Sequence, residues 1–212
     1  MEVLNYYQHP VIIITKNALV ERDLDLLTTM AKQNLVKVAV SVTSLSTHLK
    51  HIMEPRTTAP AGRLKLIKCL AENQIPIRVM LAPIIPMIND VEMEKIIQAA
   101  GQAGAKQASY VLIRLPHEVK DLFKEWLATH FPQRAEHIMS LIRQMRGGKE
   151  YDATFGAHMR GEGDYAKLLA IRFSMACKRF GLNVEAEPAL DINKFSKKNP
   201  SSRQLSLWDD EF

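Results

Sequence analysis

Four short apolar runs, separated by stretches of helical length, constrain this chain more than any other feature. Val11-Ile12-Ile13-Ile14 is β-branched and follows Pro10, which reads as a buried strand. Residues 36–42 form a second such run, residues 77–85 a third entered through Pro76, and residues 108–115 a fourth closed by Pro116. Between them, residues 22–33 carry Leu24, Leu26, Leu27, Met30 and Ala31 on one helical face. Residues 60–73 do the same with Leu64, Ile67, Leu70 and Ala71. Asp90 suits the N-cap of a helix over 91–103, with Gly104 as its stop. The order βαβαβαβ with helical crossovers implies a parallel sheet covered by helices. Near-continuous apolar strands lead one to expect both sheet faces to be buried.

From Val119 the pattern becomes helical. Residues 119–130 and 133–146 are separated by Pro132, and 165–180 is a long amphipathic segment with Leu168, Leu169, Ile171, Phe173 and Ala176, stopped by Gly181. Beyond Asn183 the chain is polar. Three units are therefore expected: residues 1–118, a partial β/α barrel; 119–183, a helical extension; and 184–212, a flexible tail.

Composition narrows the function. The longest apolar runs are far too short to span a bilayer, and Met1-Glu2-Val3 opens no secretory signal, so a cytoplasmic protein is expected. Two isolated cysteines, Cys69 and Cys177, give neither a disulfide framework nor metal-ligand spacing, and both read as small core residues. The net charge of +5, with Lys194, Lys197, Lys198 and Arg203 near the C-terminus, permits contact with nucleic acid without requiring it. His48 and His51 share a helical face, but no third metal ligand follows at suitable spacing. Arg143, Arg146 and Arg160 stand near several glycines and suit either a phosphate cradle or an exposed loop.

In parallel α/β folds, reactive groups gather where strands end. The first strand ends in Thr15-Lys16, the second carries Ser41 and Thr43, the third ends at Ala82-Pro83, and the fourth at Arg114. Lys16 offers a point charge for a carboxylate or phosphate, Ser41 and Thr43 offer hydroxyls suited to a ribose, and Ala82 lets a flat ring approach. Arg114 can grip a carboxylate with two N–H groups. The same residues would equally serve as polar strand ends.

Several of these segments resemble radical S-adenosylmethionine enzymes, in particular the group similar to spore photoproduct lyase (DNA-repair photolyase-like). They are Thr15-Lys16, Arg22-Asp23-Leu24-Asp25-Leu26-Leu27, Val40-Ser41-Val42-Thr43, Glu54-Pro55-Arg56, Ala82-Pro83-Ile84-Ile85-Pro86 and Met145-Arg146-Gly147-Gly148. The resemblance implies the C-terminal portion of a partial (β/α)6 TIM-like barrel that binds S-adenosylmethionine and a 4Fe–4S cluster, with nucleic acid as a substrate. It implies that Lys16 holds the methionine carboxylate, Ser41 meets the ribose and Ala82 lies near the adenine. The family's Cys-x3-Cys-x2-Cys loop has no counterpart here. Three thiolates are needed to leave one iron open, so no cluster is expected on this chain alone. The resemblance also implies two further strand–helix units, from an upstream segment or an N-terminal partner. Separately, Gln204-Leu205-Ser206-Leu207-Trp208 resembles the peptides that dock on the bacterial sliding clamp, which makes a non-enzymatic adaptor the alternative.

Overall fold

The computed structural model describes residues 1–151, 159 and 161–195. A short helix α1 (Glu2–Tyr6) leads into β1 (Val11–Thr15), α2 (Leu24–Lys32), β2 (Val36–Ser41), α3 (Thr47–Met53) and α4 (Pro60–Glu72). Then come β3 (Ile77–Ile84), α5 (Met93–Gln102), β4 (Gln107–Leu112), α6 (Val119–His130), α7 (Ala135–Gln144) and α8 (Gly163–Phe180). The four strands pair in sequence order, all parallel, as the alternation of runs implied. Strand order 1-2-3-4 with right-handed crossovers sets the crossover helices on one face of the sheet, the arrangement of a barrel wall.

That arrangement explains the core. Val38, Val40, Val79 and Leu81 face the helices and are completely buried, as are Leu27, Leu66, Ile67, Leu70, Ile96 and Ile97 opposite them. Each such aliphatic side chain contributes about 1.5–3 kcal/mol.

The other face corrects the expectation of two buried sheet faces. Ile12 and Ile14 are 58% and 62% exposed. They belong to an edge strand paired only with β2, and with Lys37, Ala39, Arg78, Met80 and Ser109 they line an open cavity of about 250 Å³.

Two helices carry signals that the sequence pattern hid. Helix α3 is capped by Ser46, whose hydroxyl accepts the Leu49 N–H at 3.2 Å. Its seven residues are too few to show a period. In α8 the expected apolar set divides: Leu169 and Ala176 are buried, whereas Leu168 and Ile171 are exposed. The helix meets β4 through Phe173, 4.8 Å from Tyr110, and α5 through Arg172, which donates to both Glu94 oxygens at 2.7 and 2.9 Å. Gly181 ends it in the left-handed conformation, at φ 71°. Asp90 does not cap α5. It lies in a 3-10 turn, and its carboxylate accepts the Tyr165 hydroxyl at 2.6 Å.

The start of the expected tail is fixed in place. Asn183 pairs with the backbone of Ala108 through both side-chain atoms, the Asn34 side chain donates to the Ala189 carbonyl at 2.7 Å, and Lys194 donates to the Gln33 carbonyl at 2.8 Å. These partners precede or begin β2 and β4, so residues 184–195 run across the N-terminal ends of the strands. From there Glu187 reaches Lys37 at 3.2 Å and Arg78 at 2.9 Å. Among the described residues, no helix is long and apolar enough to cross a membrane.

Candidate functional site

At the opposite, C-terminal ends of the strands the polar residues converge on one buried carboxylate. Lys16, just past β1, donates to Glu54 Oε1 at 2.5 Å. Thr43, two residues past β2, donates to the same oxygen at 2.8 Å. Arg63 on α4 donates to Glu54 Oε2 at 2.5 Å, to the Thr57 hydroxyl at 2.5 Å, and to the backbone carbonyls of Ser41 and Thr58 at 2.9 and 2.8 Å. The Arg63 and Glu54 side chains are only 2% and 8% exposed, while Lys16 is 35% exposed. Two cations around one carboxylate leave one positive charge, and only Lys16 carries it toward solvent.

Burial by itself would push the Glu54 carboxyl up, but hydrogen bonds from Lys16 and Arg63, reinforced by their charges, outweigh it and hold the group below the ordinary carboxylate range. A carboxylate more acidic in the folded than in the unfolded chain stabilises the fold above its ordinary pKa. That contribution is lost as pH falls through the lowered value. Acid unfolding should therefore become easier below about pH 4.5, the ordinary value for the group. A urea series across that range will show it.

The loops that bear the site are tied to each other. Asn89, completely buried, donates to the carbonyls of Thr43 and Pro83, each at 2.8 Å, and accepts the Ile85 N–H at 2.7 Å. Glu92 accepts the Ser44 hydroxyl at 2.5 Å and the Leu45 N–H at 3.0 Å. The ends of β2 and β3 are thus held together by side chains rather than by the sheet ladder.

The structure brings together some of the residues singled out from sequence and separates others. Lys16 and Thr43 meet on Glu54. Ala82, half-buried, presents its carbonyl 3.3 Å from the Thr43 hydroxyl and precedes a cis Ala82–Pro83 bond. Ser41 is buried, with its carbonyl on Arg63. The Thr15 hydroxyl is engaged locally, accepting the Asn17 N–H at 2.9 Å. Arg114 is exposed beyond β4, at the sheet edge opposite Lys16 and so roughly 14 Å from it by strand spacing.

Of the three arginines that suit a phosphate cradle or an exposed loop, two are described and both are paired. Arg146 is buried and donates to the Ile113 carbonyl at 2.9 Å, and Arg143 pairs with Glu136 and Glu150. Arg160 lies outside the described residues, as do Gln204, Leu205, Ser206, Leu207 and Trp208. His48 and His51 are exposed on α3, and among the described residues no cluster of three or more His, Cys, Asp or Glu could hold a metal. Cys177 is buried, which pushes its thiol up to about 11, and Cys69 is half-buried rather than core.

Arg63 and Asn89 were not evident as site residues. Arg63 did leave a signal: with Pro60, Leu66, Ile67 and Leu70 it falls on the buried stripe of α4, and a charge there demands a buried partner.

The sheet, its helices and a polar cluster at the strand ends define an α/β protein of the parallel, barrel-wall type. Solved structures of spore photoproduct lyase mutants share this fold. One matches with a TM-score of 0.55 at 15% identity, covering 85% of this chain and 53% of that one, and a second with a TM-score of 0.54 at 14% identity over the same shares. No family model matches the chain. An uncharacterised protein of Mycobacterium tuberculosis is 30% identical over 137 residues, 64% of this chain and 40% of that protein. One from Methanocaldococcus jannaschii is 29% identical over 126 residues, 59% of this chain and 46% of that protein. One from Acidianus two-tailed virus is 28% identical over 171 residues, 74% of this chain and 51% of that protein. The chain spans about half the length, or less, of the curated relatives it matches.

Proposed function

We propose that this chain is the cofactor-contacting half of a radical S-adenosylmethionine enzyme and binds S-adenosylmethionine at the strand ends. The observation that carries this reading is the half-exposed Lys16 ammonium, the one outward charge of an otherwise buried Lys16–Glu54–Arg63 cluster. The ligand's carboxylate fits that charge. In this reading the adenosine would lie against the Thr43 and Ala82 ends of β2 and β3, near Ser41. Bound there, S-adenosylmethionine would supply a sulfonium whose C–S bond breaks on one-electron reduction to give methionine and a carbon-centred radical.

A 4Fe–4S cluster does not fit the donors of this chain. Its two cysteines sit on different helices, and the Cys177 thiol is buried and held protonated. Cluster cysteines therefore have to come from an upstream segment or a partner chain, and radical formation requires that contribution. We take nucleic acid as the substrate class, on the net charge of +5 and the resemblance to the photoproduct lyase group.

Calorimetry tests the binding site. Wild-type protein should bind S-adenosylmethionine, and Lys16→Ala should weaken it about tenfold or more, the loss of a charge-assisted hydrogen bond. Equal affinities would refute the assignment.

The Gln204–Trp208 peptide, by its resemblance to sliding-clamp ligands, supports an adaptor role as a second reading. Phe195 packs on His9, 5.3 Å between rings, ahead of β1, so the chain enters residues 196–212 from the end of the sheet away from Lys16. A Gln204→Ala/Leu207→Ala variant should lose recovery of purified sliding clamp in a pull-down. Undiminished recovery would remove this reading.

A further inference from the structure

Glu54 has so far served only as the hub of the buried cluster, yet its partners are arranged asymmetrically. Arg63 and Thr43 are buried and anchor the carboxylate from behind. Of these partners only Lys16 is substantially exposed. A lysine has four rotatable carbons and must ordinarily be ordered when it meets an anion.

We propose that Glu54 is a positioning residue for ligand recognition: anchored by Arg63 and Thr43, its carboxylate holds the Lys16 ammonium at the strand-end mouth, with the remaining N–H donors aimed at the carboxylate of an α-amino-acid moiety. The inference rests on the reading of the site given above. It assigns Glu54 a role opposite in sign to its charge. Judged by charge alone, a carboxylate 2.5 Å from Lys16 repels an anionic ligand, and neutralising it should tighten binding. As a positioning group it lowers the ordering cost of Lys16, and neutralising it should weaken binding. Loop packing supports the second role. The Thr58 hydroxyl donates to the Asn17 side chain and accepts the Ala18 N–H, so the segment carrying Glu54 is laced to the turn carrying Lys16. Neither partner can drift from the other without breaking those bonds.

The test compares S-adenosylmethionine with 5′-methylthioadenosine, which keeps the adenosine and its 5′ sulfur but lacks the amino-acid moiety and the sulfonium charge. Calorimetry is run on the full chain for wild type, Glu54→Gln, Glu54→Asp, Lys16→Ala and the Lys16→Ala/Glu54→Gln pair. Wild type should prefer S-adenosylmethionine by about tenfold or more. Glu54→Gln should lose that preference while still binding 5′-methylthioadenosine, Glu54→Asp should regain part of it, and the double variant should match Lys16→Ala. A preference in Glu54→Gln equal to or greater than that of wild type overturns the inference. Should melting show that Glu54→Gln does not fold, Glu54→Asp decides, because its shorter reach must reduce the preference and an unchanged preference overturns the inference. Failure of wild type to bind either compound overturns the site itself. A Lys16→Ala effect without any Glu54 effect overturns only the role of Glu54.

Discussion

Replacing Arg63 by methionine is expected to destabilise the protein by about 3–5 kcal/mol, the usual consequence of removing one partner from a buried ion pair. The side chain is 2% exposed and satisfies Glu54, Thr57 and the carbonyls of Ser41 and Thr58. Methionine fills most of the volume, so the loss isolates charge and hydrogen bonding from packing. A second substitution, Glu54→Leu, in the same background should recover part of the loss, because it removes a buried carboxylate left with Lys16 as its remaining cation. The pH dependence supplies a control. The acid-side fall in stability tied to Glu54 needs its cations, so in Arg63→Met it should shrink. Urea unfolding of the single and double variants, at neutral pH and near pH 4, reads all of this. A single variant as stable as wild type would mean that the buried pair contributes nothing.

The second large effect is expected at Asn89. Alanine there leaves the Ile85 N–H and the carbonyls of Thr43 and Pro83 without their partner, the first two in the interior and the third half-buried. At about 1–3 kcal/mol per orphaned group, partly relieved by entering water, the cost should be about 3 kcal/mol. Aspartate should be no better, since a carboxylate would face two carbonyls. The change should also loosen the β2 and β3 ends against each other. Hydrogen exchange of the loops following β2 and β3 should accelerate in Asn89→Ala, while the β2–β3 ladder stays protected until global unfolding. A stable variant with unaltered loop exchange would show that the sheet, not Asn89, holds these ends.

Much of the fold was legible because strands and helices announce themselves by periodicity. Val11–Ile14 and residues 77–85 fall on β1 and β3 within a residue or two, and Gly181 stops α8 where a left-handed cap was needed. What was illegible depends on tertiary context. Ile12 and Ile14 look like core residues in sequence and are exposed because β1 is an edge strand and, among the described residues, no helix covers them. Residues 184–195 look like tail and are held because Asn34, Lys37 and Arg78 offer partners that no local pattern reveals. At the strand ends Lys16, Thr43 and Ala82 do converge. Arg114 does not join them, since β4 and β1 are opposite edges of the sheet. Glu54 and Arg63 come from a loop and a helix, which strand-end reasoning cannot reach.

The central claim is that the strand ends around Lys16 form an S-adenosylmethionine site. A backbone NMR titration with the cofactor tests it most directly. The account predicts saturable shifts clustered at Lys16, Ser41, Thr43, Ala82 and the 54–58 loop, absent in Lys16→Ala. Saturable shifts confined to other parts of the chain, or no shifts at millimolar cofactor, would contradict it.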